Sequence, residues 1–491
     1  MITIISIREI SIGKITNRIR KMIDTNTMRK AGSAAGLPVA MLALAVSLSA
    51  QQPSQQPAPA VSGTMQPADD APLVVPVTMN GQGGSMNFIS ETPTESYLSG
   101  GIGLTGSYTD NALLSNADKI DNFSYYVQPH INWTQITPRF TWNLGLNGGV
   151  IINNNLSDQN QAAENADLGA SWRLTQHVTL RLDDTFTNVT GLFSSIGVQT
   201  PGTGVGTVEQ GNSLLVPPSQ RTLSNISLAE VSDQVGRNTV VGVRGTYWLL
   251  DYPSNPQSAQ FGTLYNTRAY SAEIFYDWRF AARQWFGATL RAQRFETLPS
   301  IAKTDVGGLI LYYSFVPTNH ITLTFFGGPE YSNTPETAAL DALGFNGQGR
   351  LWTSSEGATL NWEGGRTSGN VTFSRQLNDG GGLSSAVTLQ SVSAKLRRQL
   401  SVHQNEVQFG VSDSKSDPLL PGTSLSGPAA VGASINGLTA FGLFQQRLAR
   451  SFLVQLGYSW QRQDVPNTVT AADSNRVWFT VSYDFLKAIG K

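Results

Sequence analysis

Six charged residues stand in the middle of segments that otherwise alternate between apolar and polar side chains. They are Arg181, Asp183, Arg244, Glu273, Asp277 and Arg291. Each falls on the polar side of its segment. If the segments are β-strands, these sides share one face of a sheet, because successive side chains point to opposite faces. Charges on such a face can line a pore and select ions, or they can form cross-strand pairs that stiffen its wall.

Glu273 and Arg291 belong to two consecutive segments joined by a tight turn. Matching the apolar residues of these segments places Glu273 opposite Arg291, with Asp277 nearer the turn. Opposite charges in such positions stabilise a sheet by about 0.2–1 kcal/mol. An unpaired arginine on a lipid-exposed face would instead cost about 2–4 kcal/mol. We therefore expect these side chains to face water inside the molecule, as a pore lining or as a structural charge ladder.

Motifs for catalysis or metal binding do not stand out. The histidines are His130, His177, His320 and His403, and they form no HExxH pattern or other ligand cluster. No nucleophile elbow or phosphate-binding glycine loop is present. The chain has 0 Cys, which excludes disulfides and thiolate metal sites. We expect no catalytic residues, no metal and no cofactor, and a simple hydrogen bond for His130 on the polar side of its segment.

The composition narrows the class of protein. Charged residues make up 14% of the chain, well below the roughly 25% of soluble domains. Lys+Arg 33 and Asp+Glu 34 leave a net charge of -1, so no basic excess favours nucleic acid as a partner. After position 50 no run of 18 or more apolar residues predicts a membrane-spanning helix. A polar soluble β-protein and a membrane β-barrel remain.

Alternating segments of about 11 to 16 residues follow one another from position 97 onward. They span roughly 98–109, 122–134, 138–150, 164–174, 177–188, 222–232, 237–249, 266–280, 283–296, 304–316, 319–331, 349–363, 366–377, 384–398, 402–413, 433–448, 451–463 and 475–485. Strands of soluble proteins usually have five or six residues, whereas about nine to eleven tilted residues cross a bilayer. The pattern predicts an all-β, transmembrane, antiparallel up-and-down barrel of about 18 strands, with 16 as the alternative.

Short and long connections alternate between these segments, as they do between the periplasmic turns and the outer loops of bacterial barrels. This rhythm predicts an outer-membrane location with both termini in the periplasm. The longest connection, 189–221, is rich in glycine and small residues. We expect it to fold over or into the pore mouth and narrow it, with a surface loop as the alternative.

The N-terminal part reads as export and linker sequence. Residues 1–50 combine an upstream extension with a signal peptide, in which basic Arg29 and Lys30 precede an apolar stretch at 37–46. Residues 51–96 are rich in Pro, Gln and Gly and predict a periplasmic linker. The barrel is expected over 97–485, followed by a tail at 486–491.

The closing segment resembles a known signal. Its residues Val477, Phe479, Val481, Tyr483 and Phe485 share one face and are similar to the C-terminal signal that the barrel-assembly machinery recognises. The stretches Gly106–Asn111 and Asp121–Tyr125 resemble the opening of the beta-barrel porins linked to exopolysaccharide operons. This resemblance implies a porin-type barrel over about 97–485 and a connection with polysaccharide.

The leading functional prediction is a porin-like outer-membrane channel for the passive diffusion of small polar solutes. Its partners would be outer-membrane lipids and the assembly machinery, and an oligomer is compatible with it. A structural or export component for surface polysaccharide is the second hypothesis, and a barrel hydrolase is the third. Alternation also turns Glu356 toward lipid, which a bulge or a subunit interface would explain. The faces of 222–232, 384–398 and 433–448 remain unassigned.

Overall fold

The long strands from Tyr97 to Ala488 form a closed β-barrel in a computed structural model of the protein. The structure describes residues 96–115, 119–190, 221–253, 257–258, 262–263, 265–298, 302–335, 349–378, 386–400, 405–419, 434–449, 451–464 and 471–488. The predicted signal peptide and linker, and most of the connection 189–221, lie outside these ranges. Within them, no helix has both the length and the apolar character needed to cross a membrane.

Eighteen long strands form the barrel wall. They are β1 (Tyr97–Thr109), β2 (Asn122–Ile136), β3 (Phe140–Asn153), β4 (Gln161–Arg173), β5 (Val178–Thr190), β6 (Arg221–Gly236), β7 (Thr239–Asp251), β10 (Asn266–Ala281), β11 (Gln284–Leu298), β12 (Lys303–Thr318), β13 (Ile321–Thr334), β14 (Gly349–Glu363), β15 (Thr367–Asn378), β16 (Val387–Gln399), β17 (Asn405–Pro418), β18 (Ile435–Ala449), β19 (Phe452–Asp464) and β20 (Ala472–Ala488). Two short strands, β8 (Gln257–Ser258) and β9 (Gly262–Thr263), form a separate hairpin between β7 and β10. The predicted count of eighteen is confirmed, and the alternative of sixteen is wrong.

Each long strand pairs antiparallel with its neighbours in sequence, and β1 closes the sheet against β20. The closing register runs from Tyr97↔Ala488 to Thr109↔Arg476. No strand edge of the barrel is left open, so the backbone groups of the wall are paired within it. Strand ends joined by short connections such as 282–283 and 319–320 lie at one rim, here called the short-turn rim. The opposite strand ends, such as Thr334 and Gly349, lie at the other rim, called the long-loop rim.

The strand ends differ from prediction mainly near the C-terminus. Strand β17 covers Asn405–Pro418 instead of 402–413. Its last residues are Ser, Asp and Lys, which give no apolar signal to the sequence pattern. Strand β20 continues past Phe485 and pairs residues 486–488 with β1, so part of the predicted tail belongs to the wall.

The two faces of the wall have opposite character. Along β2, residues alternate strictly between exposed and buried: Tyr125 is 54% exposed, whereas the neighbouring Ser124 is 5% exposed. Large apolar side chains such as Ile274 and Leu290 point outward and stay exposed, while Ser, Thr and Asn point inward. The outer face thus carries the apolar surface that a soluble protein would hide.

Inward-facing aromatic rings pack over glycines of the adjacent strand and interrupt the polar inner face. The directly opposed pairs are Phe275–Gly242, Tyr312–Gly287, Phe326–Gly357, Phe441–Gly410 and Trp478–Gly457. A Cβ atom at Gly457 would lie 2.0 Å from Cζ2 of Trp478. Phe441 points inward from β18, which explains why the faces of 433–448 could not be assigned. The other two unassigned segments place Val231 and Val392 on the outer face.

Glu356 keeps its outward orientation. Strand β14 holds an unbroken register with both neighbours at this point, so no bulge turns the side chain inward. Arg375 lies directly opposite on β15, and its Nη1 is 3.5 Å from Oε1 of Glu356. The outward carboxylate is therefore neutralised by an outward guanidinium on the next strand.

Candidate functional site

Most of the predicted pore residues fall on one continuous row across the inner wall. Reading from β5 to β13, directly opposed positions are Arg181, Glu230, Arg244, Glu273, Arg291, Gly308 and Glu330. We call these seven residues the charge row. The predicted register of Glu273 opposite Arg291 is confirmed. Because the row runs perpendicular to tilted strands, it rises from the short-turn rim at β5 toward the long-loop rim at β13.

Arg244 is the centre of the first cluster in the charge row. Its Nη2 lies 2.5 Å from Oε2 of Glu230, and its Nη1 lies 3.3 Å from Oε2 of Glu273. The guanidinium carbon is 5.3 Å from the ring centroid of Phe275. All three charged side chains are at most 15% exposed. One cation thus links carboxylates on two neighbouring strands, and a ring holds it in place.

Arg291 forms the second cluster with a partner two strands away. Its Nη2 contacts Oε1 of Glu330, and both side chains are almost completely buried. Gly308 of β12 lies between them, and a Cβ atom there would be only 2.9 Å from Cγ of Glu330. Arg291 and Glu273 are opposed in register, yet each makes its ion pair elsewhere, Arg291 with Glu330 and Glu273 with Arg244. Gly308 on the intervening strand β12 leaves the space through which Arg291 reaches Glu330.

The two remaining candidates lie beside the charge row. Asp183 accepts a hydrogen bond from Nε of Arg181 at 2.6 Å, and both side chains are substantially exposed inside the barrel. Such exposed pairs contribute little to stability. Asp277 is fully buried and accepts a hydrogen bond from the hydroxyl of Tyr312, whose ring covers Gly287. Arg181 and Asp183 are therefore open to water, whereas Asp277 belongs to the packed part of the inner face.

A similar glycine gap occurs where the barrel closes. His130 of β2 points inward, as expected, and its Nε2 lies 2.9 Å from Oδ1 of Asp484 on β20. Gly101 of β1 stands between them in register. A Cβ atom at Gly101 would lie 2.7 Å from Oδ1 of Asp484. Twice, then, a charged or polar pair spans an intervening strand because that strand carries a glycine.

The charge row holds side chains of alternating charge in fixed positions. It holds three arginines and three glutamates over six strand spacings, or roughly 29 Å at about 4.8 Å each. In the part of the chain that the structure describes, no three His, Asp or Glu side chains are grouped to hold a metal ion. Arg181, with Asp183 beside it, is exposed enough to contact polar groups that pass along the inner wall, whereas the other charged members are buried in ion pairs.

Three residues of this site were not predicted from the sequence. Glu230 lies in a segment whose faces could not be assigned. Glu330 lay at the end of its predicted strand, next to Pro329 and Tyr331. Tyr312 looked like one more apolar residue of its segment. A signal was present for Glu330, since a polar-face glycine opposite Arg291 leaves room for a partner from the next strand.

No protein-family model matches the chain, and no curated protein matches it. Its strand arrangement is similar to solved structures. Pseudomonas aeruginosa OccK2 (OpdF), in complex with glucuronate, is 11% identical, with 80% of this chain and 98% of that chain covered and a TM-score of 0.41. For P. aeruginosa OprD the identity is 11%, the coverage 84% and 99%, and the TM-score 0.39. The outer membrane protein OpdK of P. aeruginosa is 10% identical, with coverage of 79% and 99% and a TM-score of 0.40. A similar fold does not by itself transfer a function.

Proposed function

We propose that the protein is a porin-like channel of the outer membrane, through which small polar solutes diffuse passively. The observation that carries this proposal is the inversion of the wall, with large apolar side chains exposed outside and polar side chains inside a closed barrel. The strands are long enough to cross a bilayer when tilted. Barrels of this strand number enclose an interior wider than side chains alone fill.

The charge row supports a polar route along the inner wall. Its cations are balanced by carboxylates, so the wall offers neighbouring positive and negative groups to a passing solute. Arg181 and Asp183 are the members or neighbours of the row most open to water. A solute with hydroxyl groups or opposite partial charges could hydrogen-bond to Arg181 and Asp183, while the buried ion pairs of the row contribute through their electric field. We infer that the route discriminates weakly between simple anions and cations.

The test is electrical. Full-length mature protein is refolded into planar bilayers, and the single-channel current is measured with and without neutral sugars of increasing size. Small sugars should lower the conductance in proportion to their entry, and sugars above a size limit should have no effect. A correctly folded, heat-resistant barrel that conducts no ions would contradict the channel.

The predictions from the sequence about assembly, orientation and the two alternative functions are proposals as well. The closing face Val477, Phe479, Val481, Tyr483 and Phe485 would serve as the assembly signal, and the long-loop rim would face outward from the cell. A role in polysaccharide export rests only on the resemblance of residues 106–125. The hydrolase ranks last, because among the described residues the ring of His130 contacts a carboxylate and not a serine hydroxyl.

A further inference from the structure

Four cations gather on the outer face of the wall near the long-loop rim. They are Arg268 of β10, Arg294 of β11, Lys303 of β12 and Arg350 of β14. We call them the outer cation patch. Two carboxylates, Glu296 and Asp305, lie among them on the same face. Four positive and two negative groups leave this sector of the wall with a net charge of about +2 at neutral pH.

The patch lies directly beyond a belt of aromatic rings. Tyr270 follows Arg268 by two residues on the same face, and its ring is 5.3 Å from that of Tyr247. At the other edge, Trp352 follows Arg350 by two residues and contacts the ring of Tyr331 at 5.2 Å. Such aromatic pairs mark the boundary between hydrocarbon and headgroups on a membrane barrel. The cations therefore lie at headgroup height.

Ion pairs hold Arg268, Arg294 and Lys303 in place while leaving donors free for a further ligand. Glu296 is buried between Arg268, at 2.6 Å, and Lys303, at 3.6 Å. Nε of Arg294 lies 2.6 Å from Oδ1 of Asp305, yet the Arg294 side chain remains 53% exposed. A guanidinium carries five N–H donors, and one carboxylate cannot occupy all of them.

No other described sector of the outer face has this excess of positive charge. In the half of β4–β7 toward the long-loop rim, the outward charges are Glu164, Asp184, Arg221 and Asp251, with a net charge of -2. Over β15–β19 they are Arg375, Lys415, Arg462, Asp413, Asp417 and Asp464, which cancel. Strands β1–β3 carry no Asp, Glu, Lys or Arg, and the outward charge of β20 on this half of the wall is Asp473. Among the described strands, the positive charge is thus confined to β10–β14, and a general rim effect does not explain it.

We propose that the outer cation patch binds the phosphate groups of lipid headgroups in the adjacent leaflet. Arginine matches phosphate with paired, charge-assisted hydrogen bonds, and the aromatic belt below packs against the lipid's apolar part. This inference rests on the proposed membrane barrel, but it uses the face of the wall opposite to the solute route. A variant can therefore lose lipid binding and keep its conductance, or lose conductance and keep lipid binding.

The experiment compares three probes on the full-length protein in detergent, by native mass spectrometry and lipid titration. The probes are a bisphosphorylated glycolipid, the same lipid without phosphates, and inorganic phosphate. The test variant is Arg294→Gln/Arg350→Gln, which leaves the buried Glu296 with both of its cations. The matched control is Lys415→Gln/Arg462→Gln, which removes two outward cations near the same rim on the far side of the barrel.

The phosphorylated lipid should bind wild type and the control alike and the test variant at least about tenfold more weakly, since the loss of even one charge-assisted bond corresponds to roughly that factor. Asp305→Asn should strengthen binding, because it releases Arg294. Equal binding of the dephosphorylated lipid, or equal losses in control and test variants, would overturn the site. Displacement of the lipid by equimolar inorganic phosphate would show that the patch binds free phosphate and does not select a lipid headgroup. Conductance should stay unchanged in all variants.

Discussion

Glu273 lies between two arginines in register, and this position makes its charge the most informative one to reverse. Glu273→Lys would place three cations side by side on β7, β10 and β11. The substitution changes the local charge by two units, and in water each unit changes the energy of an ion 4 Å away by about 1 kcal/mol, or roughly fivefold in local concentration. We expect the reversal potential in a salt gradient to shift toward anion selectivity.

The control for this charge reversal is Asp305→Asn on the outer face, which should leave the reversal potential unchanged. The Glu273 variant must also retain its heat-resistant mobility on a gel, because its side chain is 7% exposed. A folded Glu273→Lys barrel with wild-type selectivity would remove the charge row from the conducting route.

Gly308 supports the buried pair of Arg291 and Glu330 through the space that it leaves. Gly308→Val would push Glu330 away from Arg291 and leave two buried charges apart, which typically costs about 3–5 kcal/mol. The neighbouring Gly307 points outward, and a Cβ atom there meets nothing within 4 Å. We expect Gly308→Val to lower the urea midpoint of unfolding strongly and Gly307→Val to leave it near that of wild type.

At the scale of the strand, inward aromatic rings such as Trp478 pack over glycines of the neighbouring strand, where a larger side chain would collide with the ring. Gly457→Ala would overpack Trp478 and cost about 1–3 kcal/mol. Trp478→Ala in the same chain should remove the conflict, so the double variant should be more stable than the sum of the single effects predicts. Additive effects in a complete double-mutant cycle would show that the ring and the glycine are not coupled.

The strands could be predicted from the sequence because each must present an apolar outer face over a length that crosses a bilayer. The hairpin register of Glu273 and Arg291 followed from the same constraint. The ion-pair partner of Arg291 could not be predicted in this way, because the pair depends on a glycine in β12 and a glutamate in β13. Alternation within one strand does not connect these residues. Where an aromatic ring points inward, as Phe441 does, periodicity gives no assignment at all.

For the molecule as a whole, closure fixes where the chain enters and leaves the barrel. Tyr97 pairs with Ala488, so the first and last strands begin and end at the short-turn rim. An even number of antiparallel strands requires this arrangement for any such barrel. The height of each inner charge and of the outer cation patch is therefore fixed relative to the ends of β1 and β20.

Insertion with the long-loop rim outward predicts which segments are accessible on living cells. Epitope tags placed in 336–348 or 420–432 should bind antibody on intact cells, because the strands that precede these segments, β13 and β17, end at the long-loop rim. A tag inserted between residues 319 and 320 lies at the short-turn rim and should bind antibody only after the outer membrane is permeabilised. Each tagged protein must first show wild-type heat-resistant mobility. Labelling of the 319–320 tag on intact cells, with the other two protected, would reverse the proposed orientation and place both termini outside.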